Sequence, residues 1–301
     1  MSEIFRINSI SVLHELFRYE KPKNPLISVI DLNRINPDPS HLHEHLVLGF
    51  YMISLKNGMD CSIKYGRQSY DFNEGSLIFM APEQTTVAEY GNMDKTESEN
   101  WTLCFHPDLI RKSELAKHIN DYHFFSYNVN EALHVSESEK QMITDIVHSI
   151  ENEYSQNLDN HSLDLIICHL ELLLKYCDRF YSRQFITRHA VNKDIISVFE
   201  SLVRQEVDNA NLETTGIPNV KSIADKMGYS SSYLSDLLKK ETGKNIQEHI
   251  QLHLVEKAKT LLLNSSEPVY QIAYKMGFDY PTHFSKFFKK HTGVSPTAFR
   301  N

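Results

Sequence analysis

Cysteine is scarce in this sequence of 301 residues. There are four, at positions 61, 104, 168 and 177, and none forms a CxxC pair. That excludes a zinc ribbon and a thioredoxin-type redox motif. Cys168 and Cys177 fall on a run with helical spacing, on opposite faces, too far round the helix to pair. Buried free thiols in a reducing cytosol are the expectation. Long apolar runs are missing too. The greasiest stretch, 163–174, is interrupted by Asp164, His169 and Glu171, and is too short and polar to span a bilayer. The first 16 residues lack the basic flank, apolar run and small-residue cleavage site of a secretory signal. A soluble, cytoplasmic protein with no membrane partner is expected.

Catalytic signatures are equally absent. The sequence has no Gly-rich phosphate loop, no Gly-x-Ser-x-Gly elbow and no His-Glu-x-x-His motif. Nothing argues for an enzyme, and no cofactor is expected. Basic charge is in deficit, with 31 Lys plus Arg against 39 Asp plus Glu, a net charge of -8. Taken whole, that balance argues against a nucleic-acid binder, which usually carries a basic footprint.

What is present is ordinary globular material. The chain is 41% hydrophobic and 23% charged, enough to build a core, and long enough for two domains. Residues 25–106 read as β. Short runs rich in Ile, Val, Phe and Tyr recur at 26–32, 46–55, 61–65, 76–80 and 101–106. Turn signals such as Asn57-Gly58 and Ala81-Pro82 separate them, which suggests a barrel or jelly roll. From Pro107 the pattern becomes helical. Residues 136–154 open with a Ser136-x-x-Glu139 capping box, 163–181 carry one apolar stripe, and 195–207 form a third amphipathic candidate. The polar, aperiodic stretch 209–219 reads as a linker. This gives an α+β chain with domains at 1–208 and 220–301.

The last third contains an internal repeat. Ile223-Ala224-Asp225-Lys226-Met227-Gly228-Tyr229 recurs as Ile272-Ala273-Tyr274-Lys275-Met276-Gly277-Phe278. The run from Leu234 to Gly243 recurs from Phe284 to Gly293, with the same Lys-Lys and Thr-Gly. Two matched blocks in the same order mean two copies of one unit. In each, a short helix bearing Ile-Ala ends at a Gly suited to a sharp turn, and a second helix follows. That pattern predicts a helix-turn-helix, whose second helix enters a DNA major groove. The other reading is a helical repeat that binds protein or merely packs. Residues 246–264 predict a helix between the copies, about 28 Å long at about 1.5 Å per residue. Adjacent major-groove faces are about 34 Å apart, so one rigid helix suits two reading helices.

Charge favours the nucleic-acid reading. Residues 219–301 hold 12 Lys plus Arg and 7 Asp plus Glu, a net of +5, which leaves -13 for the rest. The expected DNA contacts are Ser231, Ser232, Ser235 and Asp236 in the first copy, and Thr282, His283, Ser285 and Lys286 in the second. Ser and Thr bond to bases or phosphates, and Lys neutralises phosphate. Lys239, Lys240, Lys289 and Lys290 serve backbone contact or plain solubility.

Residues 220–300 resemble the DNA-binding domain of the AraC/XylS family of bacterial transcription regulators. The most specific stretch is Ile272-Ala273, Gly277-Phe278, Phe284-Ser285, Phe287-Phe288-Lys289, Thr292-Gly293-Val294-Ser295-Pro296 and Phe299-Arg300. Ala258 and Leu261-Leu262 fit the linking helix. Leu254 stands where many members carry Arg, and Asp236 is acidic on the first reading helix. The resemblance implies an N-terminal cupin-like β-barrel that senses a small-molecule effector, followed by dimerisation helices. It also implies a homodimer on promoter DNA, contact with RNA polymerase, and activation rather than repression. Residues 73–82 are similar to a hairpin of such barrels.

Three N-terminal features carry further expectations. His41, His43 and His45 alternate, so on a strand they share one face. With His106 as a later ligand they suggest a cupin metal site. Yet no carboxylate completes it, since Glu44 points the other way, and a ligand-pocket wall is the stronger reading. Tyr51 and Trp101 line that pocket or fill the core. Leu163, Ile166, Ile167, Leu170, Leu173 and Leu174 form a dimer contact or pack on their own domain. A cupin-type metalloenzyme with an appended helical module is the alternative function.

Overall fold

The computed structural model describes residues 4–36, 45–56, 64–65, 68–69, 75–87, 99–128, 131–156, 159, 161–187, 189–209 and 212–301. The chain divides into two compact units, Met1–Ile186 and Thr187–Asn301. Among the described residues no helix is long and apolar enough to cross a membrane.

The first unit is mixed α and β. Its elements are β1 (Ile4–Ile7), α1 (Ile10–Leu16), β2 (Ile27–Asp31), β3 (His45–Leu48), β4 (Tyr51–Lys56), β5 (Lys64–Tyr65), β6 (Gln68–Ser69), β7 (Ser76–Met80), β8 (Thr85–Val87) and β9 (Trp101–Phe105). Then come α2 (Pro107–Ile110), α3 (Leu115–His118), β10 (Leu133–His134), α4 (Glu137–Ser155) and α5 (Ser162–Thr187). The strands form a five-stranded sheet in the order β10-β7-β4-β9-β2, a three-stranded sheet β1-β3-β8 and a hairpin β5-β6. The expected single strand 46–55 is broken at Gly49-Phe50. There Gly49 N–H donates to Ile7 O at 2.9 Å, and β3 and β4 part into different sheets. Among the described residues the sheets do not close into a barrel.

Both faces of the five-stranded sheet are covered, so β9 is buried along its whole length. On one face Cys104, Ile30 and Met80 pack with Ile7, Ile10, Leu13 and Phe50. On the other, Trp101 is 2% exposed and its Nε1–H donates to Thr144 Oγ1 of α4 at 3.1 Å. Trp101 is therefore core, not a pocket wall. Tyr51 is half-buried, stacked on Phe105 at 4.8 Å with its edge against Phe125 at 5.0 Å. His41 and His43 lie outside the described residues, and His45 opens β3. His106 caps α2, accepting from Asp108 N at 3.2 Å.

The capping box at the start of α4 forms as expected. Ser136 Oγ accepts from Glu139 N, and Glu139 Oε2 accepts from Ser136 N at 3.0 Å. The apolar stripe of α5 turns inward. Ile166, Leu170, Leu173 and Leu174 are at most 2% exposed, buried within the chain itself. Ile167 is half-buried, and Leu163 alone of the six is exposed. An amphipathic stripe tells which residues are buried but not by what. Cys104 and Cys177 are buried free thiols, which burial holds well above their ordinary pKa. Cys168 is exposed, contrary to expectation, because it lies on the outer side of α5. Cys61 lies outside the described residues.

The second unit is all helical: α6 (His189–Arg204), α7 (Leu212–Thr215), α8 (Val220–Met227), α9 (Ser231–Thr242), α10 (Ile246–Asn264), α11 (Val269–Lys275), α12 (Pro281–Thr292) and α13 (Pro296–Arg300). A wide turn over Gln205–Asn209 ends α6. The domain boundary expected at 208 falls instead between Ile186 and Thr187. Phe199, Val203 and Val207 are fully buried in the same core as Ile223, Leu234, Leu238, Ile250, Ile272, Phe284 and Phe288. Nor is 209–219 a free linker. Leu212 is 1% exposed in that core, and Ile217 packs against it. Redrawn by unit, the net charge is -11 for 1–186 and +3 for 187–301.

Candidate nucleic-acid interface

The two repeats fold alike. Helix α8 is capped by Asn219, whose side chain accepts from Ser222 N at 2.8 Å. It ends at Gly228 with φ 76°, and α11 ends before Gly277 with φ 79°. A left-handed residue reverses the chain sharply here, and glycine adopts it without strain. The closing bonds match, since Tyr229 N–H donates to Ala224 O at 3.1 Å and Phe278 N–H to Ala273 O at 3.0 Å. Ala224 and Ala273 are fully buried, which lets the helices of each pair approach.

The second helices end alike too. Thr242 Oγ1 donates to Leu238 O at 2.7 Å, and Thr292 Oγ1 to Phe288 O at 2.8 Å. The correspondence runs further than the sequence blocks suggested. With a shift of 50 residues, the first turn of α10 matches α13, so Ile246 answers to Pro296 and His249 to Phe299. Each repeat is thus three helices, and α10 serves both as the third helix of one and the link to the next. Leu254, in place of the family's Arg, is 2% exposed and part of the core.

Helix α12 presents the clearer surface. Phe284 and Phe288 are fully buried and anchor it. Thr282, His283, Lys286, Lys289 and Lys290 are exposed on the other side, and Ser285 is half-buried. Residues 282, 286 and 289 follow one stripe at helical spacing. The side chains of Lys286, Lys289 and Lys290 make no ion pair or hydrogen bond among the described residues. The same holds for Lys239 and Lys240 on α9. Other lysines of this unit are committed elsewhere. Lys226 pairs with Glu206 at 2.7 Å, Lys275 pairs with Glu267, and Lys257 donates to the carbonyl of Val207.

Helix α9 differs at matched positions. Ser231, Ser232, Ser235 and Asp236 are half-buried, and Lys239 is exposed. Tyr233, where α12 has the exposed His283, is 2% exposed and stacks on Tyr229 at 5.6 Å. Asp236 stands where α12 has Lys286. The second copy thus offers cations for phosphates. The first offers short acceptors for amino groups of cytosine or adenine in a major groove.

One residue escaped the sequence reading. Tyr280, at the head of α12, is 62% exposed, with its ring 5.3 Å from that of His283. It takes the N-cap position, where Ser, Thr, Asp or Asn is usual. A large aromatic there, just before Pro281, was the available signal. Its exposure is notable because the N-terminal end of a reading helix is the part nearest the bases.

Comparison with known proteins agrees with this geometry. A family model described as a helix-turn-helix domain matches residues 223–301. The chain is 33% identical over 82 residues to the HTH-type transcriptional regulator YobQ of Bacillus subtilis, covering 27% of this chain and 34% of that protein. It is 39% identical over 80 residues to the HTH-type transcriptional activator RhaS of Citrobacter koseri, covering 27% and 29%. It is 23% identical over 269 residues to the HTH-type transcriptional activator RhaR of Mannheimia succiniciproducens, covering 87% and 88%. The chain therefore spans about a third of the first relative and less than a third of the second.

Proposed function

We propose that the chain is a sequence-specific transcription regulator of the AraC type, a reading supported by the helix-turn-helix domain matched at residues 223–301. Its C-terminal unit binds promoter DNA. The observation that carries this reading is the exposed face of α12, with three uncommitted lysines beside Thr282 and His283. Lys286, Lys289 and Lys290 neutralise phosphates, while Thr282, His283 and Ser285 reach base edges. On α9 the same roles fall to Lys239 and to Ser231, Ser232, Ser235 and Asp236.

The finer points rest on resemblance. Two relatives are named as activators, which favours activation and contact with RNA polymerase. The N-terminal unit acts as a cupin-like sensor, with Tyr51 near its small-molecule effector. The chain works in the cytoplasm as a homodimer, which presents two DNA-binding units to paired half-sites. The effector acts by linkage. It prefers one state of the sensor, and so shifts promoter affinity. The comparisons give no support to a metalloenzyme.

Helix α10 has 19 residues and is about 28 Å long. That length suits two reading helices in adjacent major grooves about 34 Å apart. The full chain, used to select sites from random duplex DNA and then footprinted, is expected to protect two successive major grooves per chain. Protection of a single groove per chain would contradict this reading.

A further inference from the structure

Among the described residues helix α6 packs against the first reading helix and makes no comparable contact with the second. It packs on α8, α9 and α10. Asn192 of α6 is 1% exposed, and its Nδ2–H donates to Glu241 Oε1 at 2.7 Å. Glu241 lies in the last turn of α9. Seven residues along α6, fully buried Phe199 meets the ring of His249 edge-on at 5.3 Å. His249 Nε2 lies 2.8 Å from Thr242 Oγ1. The single hydroxyl proton of Thr242 goes to the carbonyl of Leu238, so the ring N–H is the donor to Thr242. Both ties reach the same last turn of α9. In the second copy the answering residues are His291, whose ring lies 4.8 Å from that of Phe287 in its own helix, and Phe299 of α13, against Phe288 at 5.3 Å.

We propose that Asn192 and His249 are positioning residues that make base reading by α9, but not by α12, depend on α6. The inference rests on the DNA-binding reading above. The lever is geometric. From Thr242 back to Ser231 is about 16 Å of helix. A tilt of about 5° at the held end shifts the serine end by about 1.4 Å, enough to break a hydrogen bond to a base edge. Helix α6 also begins two residues after α5 ends. A change in the first unit thus has a short covalent path to the first reading helix.

The test exchanges donor and acceptor. Asn192→Asp sets a carboxylate against Glu241, and adding Glu241→Gln restores a bond with its direction reversed. The full chain first selects sites from random duplex DNA. Affinity is then measured for the selected site and for two altered sites, one changed under α9 and one under α12. Asn192→Asp is expected to lose about tenfold in discrimination at the α9 element. At the α12 element the change should stay within about twofold, and the double variant should recover most of the loss. His249→Phe, which installs the ring of the second copy, keeps the packing and removes the Thr242 bond. It is expected to weaken the same element only. Equal loss at both elements, no loss, or no recovery in the double variant would overturn the proposal. If the wild-type chain selects no site, the DNA-binding reading itself fails.

Discussion

A fragment of residues 219–301 is expected not to fold, whereas one of residues 187–301 is expected to fold cooperatively. The shorter fragment contains every residue of both repeats. It lacks Phe199, Val203, Val207 and Leu212, which are at most 1% exposed in the core shared with Ile223, Leu234, Leu238 and Ile250. Burying one such side chain contributes about 1.5–3 kcal/mol. Four of them amount to about 6–12 kcal/mol, comparable to the whole stability of a typical domain, about 5–15 kcal/mol. Their removal also leaves Glu241 without Asn192 and His249 without Phe199. Thermal melts followed by circular dichroism check this. The longer fragment should show one sharp transition and the shorter none. A shorter fragment that melts cooperatively within a few degrees of the longer would show that α6 is dispensable to the core.

The two turn glycines should differ sharply on replacement by alanine. At both Gly228 and Gly277 the positive φ costs an L-residue about 1–2 kcal/mol. Around Gly228 nothing lies within 4 Å of the added Cβ, so the loss stops there. At Gly277 the Cβ would sit 2.8 Å from Leu212 O, 3.2 Å from Ile217 N and 3.3 Å from Gly216 C. All three are backbone atoms and cannot swing aside. Overpacking adds about 1–3 kcal/mol, so Gly277→Ala should cost about 2–5 kcal/mol in all. Urea titration of residues 187–301 measures both. Equal shifts of the midpoint would mean that 212–217 does not press on the second turn.

The second prediction turns on a segment that the sequence pattern presented as a linker. Four helical residues are too few to show a period, so Leu212 and Ile217 gave no signal of burial. The case of α6 is related. Its buried positions 192, 199 and 203 follow helical spacing, and the helix itself was legible from it. Spacing marks an apolar face without saying which unit covers that face, and α6 was assigned to the wrong one. The stripe of α5 left two readings open for the same reason, because a core contact and a dimer contact demand the same side chains. Local chemistry was read more securely. The capping box at Ser136 and Glu139 depends on neighbours in sequence alone, and so does the turn at Gly228. The repeat was legible because both copies solve one packing problem with the same residues, Ile-Ala in the first helix and large apolar residues in the second. Where they differ at Asp236 and Lys286 the difference marks surface chemistry, whereas Tyr233 is buried where His283 is exposed.

The account places DNA affinity in uncommitted cations on the reading helices. Its most direct test is the salt dependence of binding by the full chain and by Lys286→Ala, on one selected duplex. Each phosphate contact adds about 0.9 to the slope of log affinity against log salt. Lys286→Ala should therefore lower that slope by about 1 and weaken binding at every salt concentration. A wild-type chain whose affinity does not change with salt, or a variant with unchanged slope and affinity, would contradict it.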